Sequence, residues 1–280
     1  MSAGARQGAA VLGSPISHSL SPVLHLAAYE ALGLTGWTYE AIECDESSLR
    51  VTLDALERRG CAGVSLTMPL KRVVLPMLAR TDRVVADVGA CNTVLFGGVD
   101  ADWYGANTDV PGMVTALRGG GVDAVGSATV LGGGATAASA VAALGELGVR
   151  DATVYLRRPE AAGELEAVAA RLGVTTLSIA AYGEAGPRLG EAELVISTTP
   201  AGATDALVAG LPGRLPGCLF DVVYAPWPTV LAQAWSARGG AVIGGLELLV
   251  EQAALQVELM TGQKPPVDVM RAAGVAALSG

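Results

Sequence analysis

An α/β fold in two domains is predicted for this chain, and three observations predict it. Strand-length apolar runs alternate with helix-length runs in both halves, the pattern of sheets covered by helices. The pattern restarts near residue 110, so that 1–109 and 110–245 read as separate sheets and 246–280 as helical. The stretch Val130-Leu131-Gly132-Gly133-Gly134-Ala135 joins an apolar strand straight to a small-residue helix, the tight turn of a doubly wound sheet.

The elements follow in order. Ala9 to Leu12 reads as a strand and Ser21 to Leu34 as a helix, with Ser21 as N-cap and Pro22 at the first helical position. Trp37 to Glu43 reads as a strand, Ser47 to Arg59 as a helix and Gly63 to Thr67 as a strand. Beyond residue 110 the predicted strands are Ala128–Leu131, Ala152–Leu156, Thr176–Ile179, Leu194–Ser197, Leu219–Val223 and Ala241–Ile243, with room for helices between most of them. Leu246 to Met260 reads as one amphipathic helix, with Leu248, Leu249, Gln252, Leu255, Gln256 and Leu259 near one face, and it can cross back to the first half.

Composition narrows the function classes. The 280 residues are 51% hydrophobic with 37 glycines, which marks an ordered globular chain. A net charge of −9 argues against a nucleic-acid surface or an anionic membrane surface as partner. Cys44, Cys61, Cys91 and Cys218 form no CxxC pair, and there are only two histidines, so neither a metal site nor a disulfide scaffold is expected. A reduced, cytoplasmic protein fits that usage. The opening MSAGARQGAA lacks the apolar core of a signal peptide. Ala124 to Gly145 is uncharged and long enough for a membrane span, but its glycines, hydroxyls and internal turn argue for a soluble strand–turn–helix.

The glycine turn carries the first chemical reading. Glycines let a backbone approach a pyrophosphate, and the helix behind them presents free N–H groups and a partial positive charge. In this fold a carboxylate about 20 residues further on binds the adenosine ribose of NAD. Here Arg157 and Arg158 follow the second strand instead, and guanidinium groups suit a 2′-phosphate. NADP is therefore expected over NAD, while the nearby Glu160 keeps NAD open.

The first half holds four polar clusters at strand or turn ends: Ser17-His18-Ser19-Leu20-Ser21-Pro22, Ser65-Leu66-Thr67-Met68-Pro69-Leu70-Lys71, Cys91-Asn92-Thr93 and Gly105-Ala106-Asn107-Thr108-Asp109. Taken singly, they read as helix capping, a solvated lysine and turn chemistry. Taken together with the glycine turn, they carry a resemblance. The blocks GSPISHSLSP, GVSLTMPLK, ACNTV, GANTDVPG, LGGGATA, VISTTPAG, DVVYAPWPT and GGLELLVEQAA, in this order, resemble the shikimate dehydrogenase family, which includes quinate dehydrogenases, almost end to end.

That resemblance implies an N-terminal α/β substrate domain, completed by the C-terminal helices, and a Rossmann-type doubly wound NADP-binding domain. It implies reversible reduction of 3-dehydroshikimate to shikimate, a step toward chorismate and the aromatic amino acids. Lys71 and Asp109 would be the catalytic pair. Ser19 and Ser21 would hold the substrate carboxylate, and Thr67, Asn92 and Gln252 the ring hydroxyls, with Tyr224 nearby. Gly132, Gly133, Gly134 and Ala135 would hold the pyrophosphate and Arg157 the 2′-phosphate, with Arg158, Thr198 and Gly245 completing the cofactor set. Two positions depart from the family pattern: Ser65 and Leu26 stand where members often carry Asn. Both bear on substrate contacts and leave a quinate- or aminoshikimate-oxidising relative, or a ligand-sensing module without chemistry, as rivals. A homodimer stays open as the oligomeric state.

Overall fold

The computed structural model describes residues 7–97, 102–174 and 176–279, so most of the stretch read as free of a signal peptide lies outside the described residues. The chain divides into two compact units, Met1–Thr108 with Leu249–Gly280, and Asp109–Leu248.

The first unit begins with β1 (Ala9–Gly13), α1 (Ser21–Ala31), β2 (Tyr39–Glu43), α2 (Leu49–Arg58) and β3 (Gly63–Leu66). It continues with α3 (Leu70–Val73), β4 (Arg80–Thr81), α4 (Arg83–Val88), β5 (Thr93–Leu95) and β6 (Tyr104–Ala106). These strands form one six-stranded sheet in the order β2-β1-β3-β5-β6-β4. β1 lies parallel to β2 and β3, whereas β5 runs antiparallel to both β3 and β6. Strands β4 to β6 have only two or three residues each, too few for an alternating pattern, which is why the sequence does not announce them. The core beneath this sheet gathers Leu12, Leu49, Leu53, Val64, Leu66 and Leu70, all buried.

The start of α1 differs from expectation. Leu20, already in helical conformation, takes the cap position and Ser21 is the first helical residue, with no side-chain cap. A turn closed by Ser19 N–H on Ile16 O brings the chain into helical geometry one residue early. The Ser19 hydroxyl then accepts from Ser21 N–H at 3.3 Å, so Ser19 takes over the capping duty expected of Ser21.

The second unit contains α5 (Asp109–Gly119), β7 (Ser127–Leu131), α6 (Ala135–Glu146), β8 (Asp151–Leu156), α7 (Ala162–Leu172) and β9 (Thr176–Ala181). It goes on through α8 (Ala185–Arg188), β10 (Leu194–Ser197), β11 (Cys218–Asp221), α9 (Val230–Ser236) and β12 (Ala241–Gly244). All six strands are parallel, in the order β12-β11-β10-β7-β8-β9. The strand order reverses direction between β7 and β10, the switch point at which ligands of doubly wound sheets bind.

Two helices close the chain, α10 (Gly245–Thr261) and α11 (Val267–Ser279). α11 packs on α1. The one-sided apolar face expected for α10 is not what forms: Leu259 is exposed, while Val250, Ala253, Ala254 and Val257 are buried together with Gln252 and Gln256. A helix covered on several sides loses the simple stripe of a surface helix. Among the described residues no helix is long and apolar enough to cross a membrane, and no cluster of His, Cys, Asp and Glu could hold a metal ion.

Candidate active site

Strand direction brings the polar clusters of the first unit to one sheet edge. The loop after β1 carries Ser19, the loop after β3 carries Thr67, and α3 directly behind that loop carries Lys71. Because β5 is antiparallel to β3, its start, with Asn92 and Thr93, lies at the same edge as the end of β3. Because β6 is antiparallel to β5, its end, leading to Asn107 and Thr108, lies there too. Backbone hydrogen bonds fasten the loops: Ser14 N–H to Met68 O at 2.9 Å, Thr67 N–H to Leu12 O at 2.9 Å, Leu66 N–H to Asn92 O at 2.7 Å and Cys91 N–H to Lys71 O at 2.7 Å. The last bond sets Lys71 beside the Asn92 segment. Glu43 at the end of β2 holds the β1 loop, accepting from Ser14 Oγ at 2.5 Å and Ile16 N–H at 3.1 Å.

Asn92 is the hub of the polar groups. It is 1% exposed. Its Oδ1 accepts from Thr108 N–H at 2.8 Å and from Thr93 Oγ1 at 2.9 Å. Its Nδ2 lies 2.9 Å from Thr108 Oγ1 and 3.4 Å from Gln252 Oε1. Gln252 donates from Nε2 to Leu249 O at 2.9 Å. So of the substrate residues implied by resemblance, Asn92 and Gln252 touch, and Thr67 and Lys71 are tied to the same strand ends. Asp109, which follows Thr108 directly, is buried and opens α5. Asn107, the next polar residue, braces the edge by donating to Ala90 O at 2.8 Å, while its backbone N–H reaches Asp82 at 3.0 Å.

Behind this edge lies a group that sequence reasoning left out of the site. Tyr39, Ser65, Thr93 and Gln256 are all buried and hydrogen-bonded to one another. Polar residues at 39 and 65 within strands, and a second glutamine one helical turn after Gln252, were the available signals. His25 stacks on Tyr39 with ring centres 3.9 Å apart and planes 18° from parallel. Burial lowers the His25 pKa to about 3, with the Gln256 side chain opposing, so the ring is neutral at pH 7. Burial also pushes the Tyr39 hydroxyl well above its ordinary range, so it stays a donor. Ser65, one of the departures from the family pattern, thus serves this buried group, and Leu26, the other, is exposed on α1.

In the second unit the parallel strands end on one edge as well, carrying Gly132 after β7, Arg157 after β8, Thr198 after β10, Tyr224 after β11 and Gly245 after β12. Gly132 has φ +119°, and a Cβ there would lie 2.5 Å from Thr198 Oγ1, so neither backbone nor space admits a side chain. Thr198 shapes this turn: its hydroxyl donates to Leu131 O at 2.8 Å. Gly133 packs close to Leu156 and Ala161, whereas the space a Cβ of Gly134 would enter is open. Gly134 caps α6 without any side-chain hydrogen bond, and the N–H groups of a helix's first turn have no acceptor within the helix. This cradle fits a pyrophosphate. Arg157 and Arg158 are both exposed, and the Arg157 guanidinium sits 5.9 Å from the Tyr182 ring centre.

The loop bearing Tyr224 is anchored by Asp221. Asp221 is 1% exposed and accepts from Thr229 Oγ1 at 2.7 Å and Val223 N–H at 3.3 Å. Burial raises its pKa, with those hydrogen bonds opposing. Gly245 completes the edge: a Cβ there would collide with the Val222 carbonyl, which only glycine avoids.

A doubly wound parallel unit with a glycine cradle, joined to a second sheet whose polar residues meet at one edge, defines the class of two-unit dinucleotide-binding α/β proteins. Residues 11–94 match the model of the shikimate dehydrogenase substrate binding domain, and residues 245–273 that of the shikimate 5′-dehydrogenase C-terminal domain. A shikimate dehydrogenase (NADP(+)) of Thermus thermophilus is 37% identical over 273 residues, 96% of this chain and 98% of the relative. The crystal structure of Mycobacterium tuberculosis shikimate dehydrogenase superposes with a TM-score of 0.84 at 40% identity, covering 97% of this chain and 99% of that one. A Thermus thermophilus shikimate 5-dehydrogenase in complex with NADP(H) and shikimate gives 0.83 at 34% identity, over 97% and 100%. The chain belongs to the shikimate dehydrogenase family.

Proposed function

We propose that the chain is an NADP-dependent oxidoreductase acting on a CH–OH group, interconverting 3-dehydroshikimate and shikimate in the pathway to chorismate and the aromatic amino acids. The observation that carries this reading is the edge where Thr67, Lys71, Asn92 and Gln252 are fastened together, in a chain of this family. In it, Ser19 and Ser21 hold the substrate carboxylate, and Thr67, Asn92 and Gln252 bind the ring hydroxyls with Tyr224 nearby. The cradle from Gly132 to Ala135 takes the pyrophosphate, and Arg157 with Arg158 takes the 2′-phosphate; Thr198 and Gly245 keep the backbone close. When bound, the nicotinamide supplies or accepts the hydride.

The protein's own task is then one proton and one orientation. Lys71 Nζ stabilises the oxygen that gains charge as the ketone is reduced and donates the proton that makes it a hydroxyl; in the reverse direction it takes that proton back. Asp109 orients the ammonium and accepts from the substrate hydroxyl. The four cysteines are buried and joined in no disulfide, in keeping with the reducing cytoplasm. Lys71→Ala tests the assignment: kcat is expected to fall by roughly two to four orders of magnitude, the scale of an acid–base group. A loss of only a few-fold removes Lys71 from the reaction.

A further inference from the structure

We propose that Thr93, polarised by Gln256, is a positioning residue that holds the Asn92 amide in the facing that Thr108 N–H selects and thereby steadies what Gln252 offers the substrate. This rests on the substrate reading of Asn92 and Gln252 given above. Hydrogen-bond direction is the argument. A backbone N–H only donates, so the 2.8 Å bond from Thr108 N–H fixes the receiving atom of Asn92 as Oδ1. Nδ2 then points to Thr108 Oγ1 and Gln252 Oε1. At the far end, Gln256 Nε2 lies 3.4 Å from the backbone carbonyl of Asn92, which only accepts; an oxygen turned there would face another oxygen.

With both amides fixed, the hydroxyls between them have one arrangement. Thr93 Oγ1 receives from Gln256 Nε2 at 3.1 Å and gives its own hydrogen to Asn92 Oδ1 at 2.9 Å. Ser65 gives its hydrogen to Gln256 Oε1 at 2.7 Å and receives one from Tyr39 Oη at 2.7 Å. Tyr39, Ser65, Gln256, Thr93 and Asn92 are 4%, 4%, 1%, 0% and 1% exposed, so water does not replace a lost link freely. The relay has a chemical consequence at Gln252. Its Oε1 accepts from Asn92 and one Nε2 hydrogen goes to Leu249 O, so the donor that remains to it is the second N–H. An accepting oxygen of the substrate would answer that donor.

The test compares Thr93→Val, which keeps the shape and removes the link, with Thr93→Ser, which keeps the hydroxyl, in the full-length protein. Thr93→Val is expected to raise KM for shikimate about five- to tenfold, the scale of one buried hydrogen bond, with kcat within about threefold and KM for NADP unchanged. Thr93→Ser is expected to stay near the wild type, and Gln256→Met to move KM in the same direction by less. By NMR, the side-chain amide protons of Asn92 should exchange faster in Thr93→Val and not in Thr93→Ser. If Thr93→Val lowers the melting temperature but leaves shikimate KM and Asn92 exchange unchanged, or if Val and Ser behave alike, the proposal is overturned. Should the wild type fail to oxidise shikimate at all, the substrate reading falls, and the Asn92 exchange rates alone then decide the relay.

Discussion

Asn92 shows how a residue that sequence alone reads as turn chemistry becomes a hub. Its neighbours in space, Thr108 and Gln252, are far along the chain, and only the antiparallel placement of β5 brings them together. Arg157 is the opposite case. It was singled out by its spacing after the glycine turn, it is exposed, and the 2′-phosphate role is the one proposed for it. Arg157→Ala should therefore raise KM for NADP about ten- to a hundredfold, the loss expected of hydrogen bonds to a charged group, and KM for NAD by less than about twofold. Steady-state kinetics with both cofactors check it; equal effects on the two contradict a 2′-phosphate role. Thr93 was read only as part of a turn cluster and Gln256 only as part of a helix face, and Asp221, a lone buried acid, carries no spacing signal. Their roles depend on partners supplied by tertiary structure.

At the scale of elements, the strands of the second sheet were legible because each is a largely apolar run of four to six residues between turn signals, with α-helices between most of them. The glycine turn was legible as a strand-to-helix turn, and Gly132 within it has φ +119° and no room for a Cβ beside Thr198. In the first sheet, β1 to β3 were legible and β4 to β6 were not, since two or three residues cannot display a period. Those short strands nonetheless build the site edge, because they carry Asn92, Thr93, Asn107 and Thr108 to it. The cap of α1 shifted from Ser21 to Ser19 through a tight turn at Ile16, a local closure that residue type alone does not specify. α10 was legible as a helix but not in its facing, because burial on several sides erased the stripe.

At the scale of the molecule, the buried neutral His25 couples stability to pH. Its folded pKa, about 3, lies below the 6.5 of an exposed histidine, so below pH 6.5 the unfolded chain binds a proton that the folded chain refuses. Stability contributed this way is intact above 6.5 and is lost as pH falls toward 3, by up to about 1.4 kcal/mol per pH unit. Asp221 acts in the opposite sense just above 3.8, because burial raises its pKa. Urea unfolding between pH 7 and 4.5 should thus show a steeper acid-side loss for the wild type than for His25→Phe; identical slopes contradict a buried neutral ring.

The proposed function puts a substrate edge and a phosphate-binding cradle in one oxidoreductase. The most direct test is the initial rate of cofactor reduction by the purified protein with shikimate or quinate, each paired with NADP or NAD. Fast turnover is expected with shikimate and NADP, and much slower turnover in the other three pairings. Preferred turnover of quinate, or of NAD over NADP, contradicts it and moves the chain to the quinate-oxidising side of the family; silence in all four pairings, with cofactor bound, contradicts the enzymatic reading itself.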